Sequence, residues 1–139
     1  VALDEHRIMV VGGASASAQV LNSTEILDIR TMAFKPGPAM RSGRYVCAAV
    51  PVDAQHVIVI GGWDSSGVPT ATTEVLDVET LEFAPGPTMQ TGRQGCAATR
   101  LDAAGEEPRI LVVGGNADRY KLTTEVLAPE DPRTTLARL

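Results

Sequence analysis

Val59-Ile60-Gly61-Gly62-Trp63-Asp64, followed at 73–77 by Thr73-Glu74-Val75-Leu76-Asp77, decides the fold because the same phrase occurs three times. Val10-Val11-Gly12-Gly13 precedes Thr24-Glu25-Ile26-Leu27, and Val112-Val113-Gly114-Gly115 precedes Thr124-Glu125-Val126-Leu127. From the first copy to the second the offset is a constant 49 residues: Gly12 to Gly61, Glu25 to Glu74, Phe34 to Phe83, Met40 to Met89, Arg44 to Arg93 and Cys47 to Cys96. A fixed period over the whole chain marks repeated supersecondary units.

One unit reads from Arg44 to Met89. Residues 44–50 are β-rich with small side chains, and residues 51–55 carry the Pro and Asp turn signals that reverse a chain. His56-Val57-Ile58-Val59-Ile60 is an apolar run too short for a helix, ended by Gly61-Gly62, and it suits a strand buried on both faces. After a polar loop, residues 73–78 alternate with a two-residue period. Glu79-Thr80 forms a tight turn into a fourth strand over residues 81–84, and Pro85-Gly86-Pro87 stops it. Four antiparallel strands with apolar residues on both faces must stack on neighbouring sheets, which a ring of radial blades achieves.

These residues resemble the kelch repeat: Val-Ile-Gly-Gly-Trp-Asp at 59–64, Thr-Glu-Val-Leu-Asp at 73–77, the aromatic Phe83, the Pro-Gly-Pro-x-Met turn and Gly92-Arg93 opening the next strand. The resemblance implies an all-β fold of kelch-type β-propeller blades, here an incomplete propeller of about two and a half blades. Leu27, Leu76 and Leu127 stand where the family usually has an aromatic, and Phe34 and Phe83 stand where it has Trp; both exchanges keep a large apolar plug. The expected organisation is a partial blade over 1–40 (strands two to four), a complete blade over 41–90, and a partial blade over 91–139 (strands one to three) with a divergent tail, ten strands in all. Val1-Ala2-Leu3 aligns with Val50-Pro51-Val52, the tail of a first strand.

Such an arc leaves two blade faces open. With roughly 500 Å² of apolar surface on each, the loss at ~25 cal/mol per Å² is on the order of 12 kcal/mol per face. The remaining propeller blades, another copy or another chain are therefore expected to cover them.

The 139 residues contain 44% apolar side chains and carry a formal charge of −5. That balance disfavours nucleic acid and anionic membrane as partners. No apolar run reaches the length of a membrane span, and no secretory pattern opens the chain, which favours the cytoplasm without assigning a compartment. Cys47 and Cys96 share a repeat position and read as small buried thiols at equivalent places on neighbouring units, not as a facing pair. A metal or redox role lacks the close CxxC spacing and a nearby His. His6 and His56 fall at turns or strand edges.

Glu25, Glu74 and Glu125 recur in the third strand of each unit, and Arg44 and Arg93 open the first. Ion pairs holding the blades are the favoured reading, a ring of binding sites the other. The Gly pairs 12–13, 61–62 and 114–115 lack the further glycines and the helix that dinucleotide binding needs, so they are strand terminators. Function is sought where the copies differ, in the loops after these pairs. Trp63, Asp64, Arg119 and Tyr120 are the partner-binding candidates there, with Trp63 alternatively a plug folded onto its own blade. The resemblance implies a protein–protein interaction scaffold, not an enzyme, with no cofactor, and a protein partner. Two alternatives stand beside it: a fragment of a copper radical oxidase or sugar epimerase, and a structural subunit of a large assembly. Tyr45 and Cys47 lie close together, but neither histidine converges on them.

Overall fold

The computed structural model describes residues 1–104, 106–115, 123–128 and 135–136. Among them eleven strands form three antiparallel sheets and no helix. The first sheet joins β1 (Arg7–Val11), β2 (Thr24–Asp28) and β3 (Ala33–Pro36). The second runs β4 (Ala48–Pro51), β5 (His56–Ile60), β6 (Thr73–Asp77) and β7 (Glu82–Pro85) in chain order. The third holds β8 (Ala97–Leu101), β9 (Arg109–Val113), β10 (Thr124–Leu127) and β11 (Thr135–Leu136). All three are meanders of propeller-blade type, and they do not close into a barrel.

Register follows the repeat. Glu25 faces Val10 across β1–β2, and Glu74 faces Val59 across β5–β6. Val1-Ala2-Leu3 lies on β1 as the sequence alignment requires: Met9 N donates to Val1 O at 2.8 Å, and Ala2 bridges Ile8. The Pro-Gly-Pro turns are tied down by a threonine on the preceding strand, Thr24 Oγ1 to Pro38 O and Thr73 Oγ1 to Pro87 O, both at 2.7 Å.

Three strand assignments change. The first strand of the second sheet begins at Ala48, not Arg44, because Val46 adopts a positive φ of 57° and its carbonyl accepts from Gly95 N instead of extending the ladder. Its end and the fourth strand are also displaced: Pro51 closes β4, and β7 starts at Glu82 after Leu81 takes a φ of 57°. The third sheet gains a fourth strand where a divergent tail was expected, so ten strands become eleven. Backbone pairing of Val126 with Leu136 and Leu127 with Thr135 satisfies the edge of β10, and such pairing needs none of the Phe or Pro-Gly-Pro signature.

Two apolar layers join the sheets. Leu3, Met9, Ile26, Val57, Leu76 and Val78 pack between the first and second, with Phe83 half-buried against them. Val50, Val52, Ile58, Ile60, Met89, Ile110, Val112 and Leu127 pack between the second and third. The second sheet is therefore covered on both faces, whereas the outer faces of the other two lie open among the described residues. Val59 is 0% exposed and its repeat equivalent Val10 47%. Phe34, read as a buried plug, is 57% exposed for the same reason: the face its equivalent Phe83 turns to a neighbouring sheet has no neighbour here.

Candidate functional site

Each of the two arginines bridges two sheets. Arg44 N donates to Leu21 O at 3.0 Å, and Arg44 O accepts from Gly13 N at 2.8 Å, which stitches its backbone to the first sheet. Its guanidinium turns the other way, donating to Gly61 O, Thr72 O, Thr72 Oγ1 and Glu74 Oε1 at 2.9–3.1 Å in the second sheet. Arg93 repeats this one unit on: its backbone pairs with Thr70 O and Gly62 N, and its side chain reaches Gly114 O, Thr123 O, Thr123 Oγ1 and Glu125. The arginines and both glutamates are buried.

Each carboxylate has further partners in the chain entering its sheet. Glu74 accepts from Arg41 N at 2.7 Å and from Ser42 N and Oγ at 3.0 and 3.1 Å, while Glu125 accepts from Gln90 N at 2.6 Å. Fewer partners on Glu125 leave its Oε1 free to take both Nε and Nη2 of Arg93. On Glu74, Oε1 is shared with Ser42, and the buried Nε of Arg44 has no partner. Glu25 breaks the pattern: it is exposed, and its side chain makes no ion pair or hydrogen bond among the described residues.

The glycine pairs serve this joint. Gly61 has a φ of 61°, and a Cβ there would strike the Arg93 carbonyl oxygen. The left-handed turn and the close approach together demand glycine.

The loop after Gly61-Gly62 forms a rim. Trp63 exchanges backbone hydrogen bonds with Tyr45, N to O at 2.7 and 3.0 Å, and bridges Pro69 on its other side. Asp64 Oδ1 accepts from Ser66 N at 2.8 Å and Val68 N at 3.1 Å, so this carboxylate closes its own loop. Half-buried Trp63 thus sits beside Tyr45, 45% exposed, and Val68, 54% exposed, with Val46 also in solvent. Tyr45, Val46 and Val68 were not singled out as contact residues from the sequence. A valine in an otherwise polar Ser-Ser-Gly-Val-Pro loop was the available signal. Arg119 and Tyr120 lie outside the described residues.

Cys47 and Cys96 are free and half-buried, less enclosed than the sequence implied: each lies against the glycine pair at its sheet end, and Cys96 also packs on the edge of the apolar layer between the second and third sheets. Burial pushes both thiols up, against a smaller opposing pull from Arg44 and Arg93 respectively. They stand at equivalent places just before β4 and β8 of the neighbouring sheets, and the charge of Cys47 adds the smallest of the influences on Cys96, an upward one. His56 opens β5 and His6 lies in the turn before β1: His56 Nδ1 lies 2.9 Å from Asp53 Oδ2, and His6 N donates to Asp4 Oδ1 at 2.8 Å. Among the described residues no three His, Cys, Asp or Glu side chains form a metal-holding group, and no helix is long and apolar enough to cross a membrane.

The family model described as the kelch motif matches residues 44–90, the span from the first bridging arginine to the end of the second sheet. Over this span the chain is similar to the kelch motif. A comparison with curated proteins finds no match. The matched span contains the sheet covered on both sides, and the rim residues Tyr45, Trp63 and Val68 lie within it.

Proposed function

We propose that this kelch-repeat chain is a protein-interaction scaffold that binds a partner through the blade rim formed by Tyr45, Val46, Trp63 and Val68. The observation that carries the reading is an apolar and aromatic group exposed on a backbone that is paired on both sides of Trp63. Rigid aromatic anchors lose little conformational entropy on contact, which suits them to be hot spots. The kelch repeat supports the same reading, since such repeats commonly serve protein interaction.

Trp63 is the sole tryptophan of the chain, so it reports its own surroundings. The test is affinity capture with the wild-type chain and with a Tyr45→Ser/Trp63→Ser variant, followed by titration of the candidate against wild type under tryptophan fluorescence. Loss of one retained protein from the variant, together with a saturable Trp63 shift, supports the rim. Identical retention by both chains counts against it. The open outer faces bearing Val10, Phe34 and Val113 support a second reading, a component of a larger assembly in which other blades or chains cover them.

A further inference from the structure

We infer that the β1 end of the first sheet is a seat for a Ser/Thr-Gly-Arg peptide segment, with Glu25 as the carboxylate that receives the arginine. The inference is independent of the rim and rests on two occupied copies of the same seat within this chain.

In the second sheet the seat consists of Gly61 O, Thr72 O, Thr72 Oγ1 and Glu74, all bonded to Arg44. In the third it consists of Gly114 O, Thr123 O, Thr123 Oγ1 and Glu125, all bonded to Arg93. The occupying segments are Met40-Arg41-Ser42-Gly43-Arg44 and Met89-Gln90-Thr91-Gly92-Arg93, and their backbone N–H groups at Arg41, Ser42 and Gln90 cover the rest of each carboxylate. At the same repeat positions the first sheet presents Gly12, Ser23 and Glu25. Every acceptor type is kept, the hydroxyl included.

No arginine of the described residues occupies this third copy. Ser23 O accepts from Gly12 N at 3.0 Å, the bond that Thr72 O accepts from Gly61 N at 3.2 Å, and its other lone pair remains for a guanidinium. A groove of about 400 Å³ lies between Val10, Gly12, Leu21, Ser23, Glu25 and Pro36. Its place corresponds to that filled by the Arg44 side chain in the second sheet. Both Ser/Thr-Gly-Arg segments of the described chain are engaged elsewhere, so the occupant is a further polypeptide segment of that chemistry. An arginine is required over a lysine because each occupied seat is filled by one guanidinium bonding four separate acceptors, a number that its five forked donors reach and the three donors of a point-like ammonium do not.

The test uses the 139-residue chain and a fluorescent synthetic peptide with the sequence of residues 40–50, serine replacing its cysteine. Fluorescence anisotropy is expected to show saturable binding. Arg44→Gln in the peptide, or Glu25→Gln in the chain, is expected to weaken it at least tenfold, and the two changes together to cost little more than either alone. Glu25 is exposed, so an unchanged circular-dichroism spectrum of the variant accompanies that loss. Absence of saturable binding overturns the inference. So does binding unaffected by Glu25→Gln, which would report exchange of the peptide into the second sheet.

Discussion

Arg44 Nη2 lies 3.1 Å from Glu74 Oε1, and the two side chains are 0% and 3% exposed, while the Arg44 carbonyl accepts from Gly13 N in the neighbouring sheet. One residue therefore bonds two sheets, its backbone to one and its charge to the other. Removing either charge leaves the other buried and unpaired, which typically costs about 3–5 kcal/mol. Glu74→Gln and Arg44→Met are each expected to lower the urea midpoint by that amount of stability. The double variant Arg44→Met/Glu74→Leu is expected to lose less than the sum, because no uncompensated charge remains. Glu25→Ala, at the exposed equivalent, is expected to stay within about 0.5 kcal/mol of wild type.

Gly61 and Gly114 share a left-handed backbone, with φ of 61° and 66°, but differ in surroundings. A Cβ at Gly61 meets the Arg93 carbonyl, whereas at Gly114 nothing among the described residues lies within 4 Å. Gly114→Ala is expected to cost about 1–2 kcal/mol, the backbone term alone. Gly61→Ala adds displacement of the sheet joint and is expected to cost clearly more. Equal midpoints for the two variants in urea would contradict the close approach.

Met32 is 71% exposed and holds a φ of 54° in the β2–β3 hairpin, the place that Leu81 takes in β6–β7. Glycine adopts this conformation without the Cβ penalty but gives up more chain entropy on folding. Met32→Gly is expected to raise stability by about 0.5–1 kcal/mol, read as an increased melting temperature.

The raised thiols of Cys47 and Cys96 set their reactivity, since the thiolate is the nucleophile. Both are expected to react with iodoacetamide more slowly than free cysteine at pH 7.5, with a pH–rate midpoint above that of the free thiol. Denaturation in urea is expected to abolish the difference.

Backbone hydrogen bonding from Thr80 leads the causes that hold Asp77 below the ordinary aspartate value, and hydrogen bonding from the Arg30 side chain does so for Asp28. Between the lowered folded value and the unfolded one near ~3.9, the unfolded chain binds more protons, so stability rises with pH through that window and is fully present above it. Acidification below pH 4 is expected to remove it. Asp77→Asn cannot titrate, so its deficit relative to wild type at pH 5 is expected to shrink by pH 2.

The strands that the sequence marks best are those whose signals are local. His56–Ile60 is bounded as the apolar run and the Gly pair predict, and Thr73–Asp77 ends one residue short of the 73–78 alternation, because backbone preference and turn chemistry act over a few residues. Ala48 and Glu82 were harder to place, since Val46 and Leu81 leave the extended region with side chains that rarely do so. At the rim, Trp63 was visible by type, but its setting beside Tyr45 arises from a backbone bridge across eighteen positions of chain.

The sequence by itself determined the repeat and the blade type and favoured ion pairs between its arginines and glutamates, because equal residues at equal spacing make similar local structure. Only the tertiary structure decided what each copy does with them. Glu74 is buried on Arg44 and Glu25 is open, Val59 is enclosed and Val10 is in solvent, because burial at a repeat position depends on the neighbouring sheet and not on the residue.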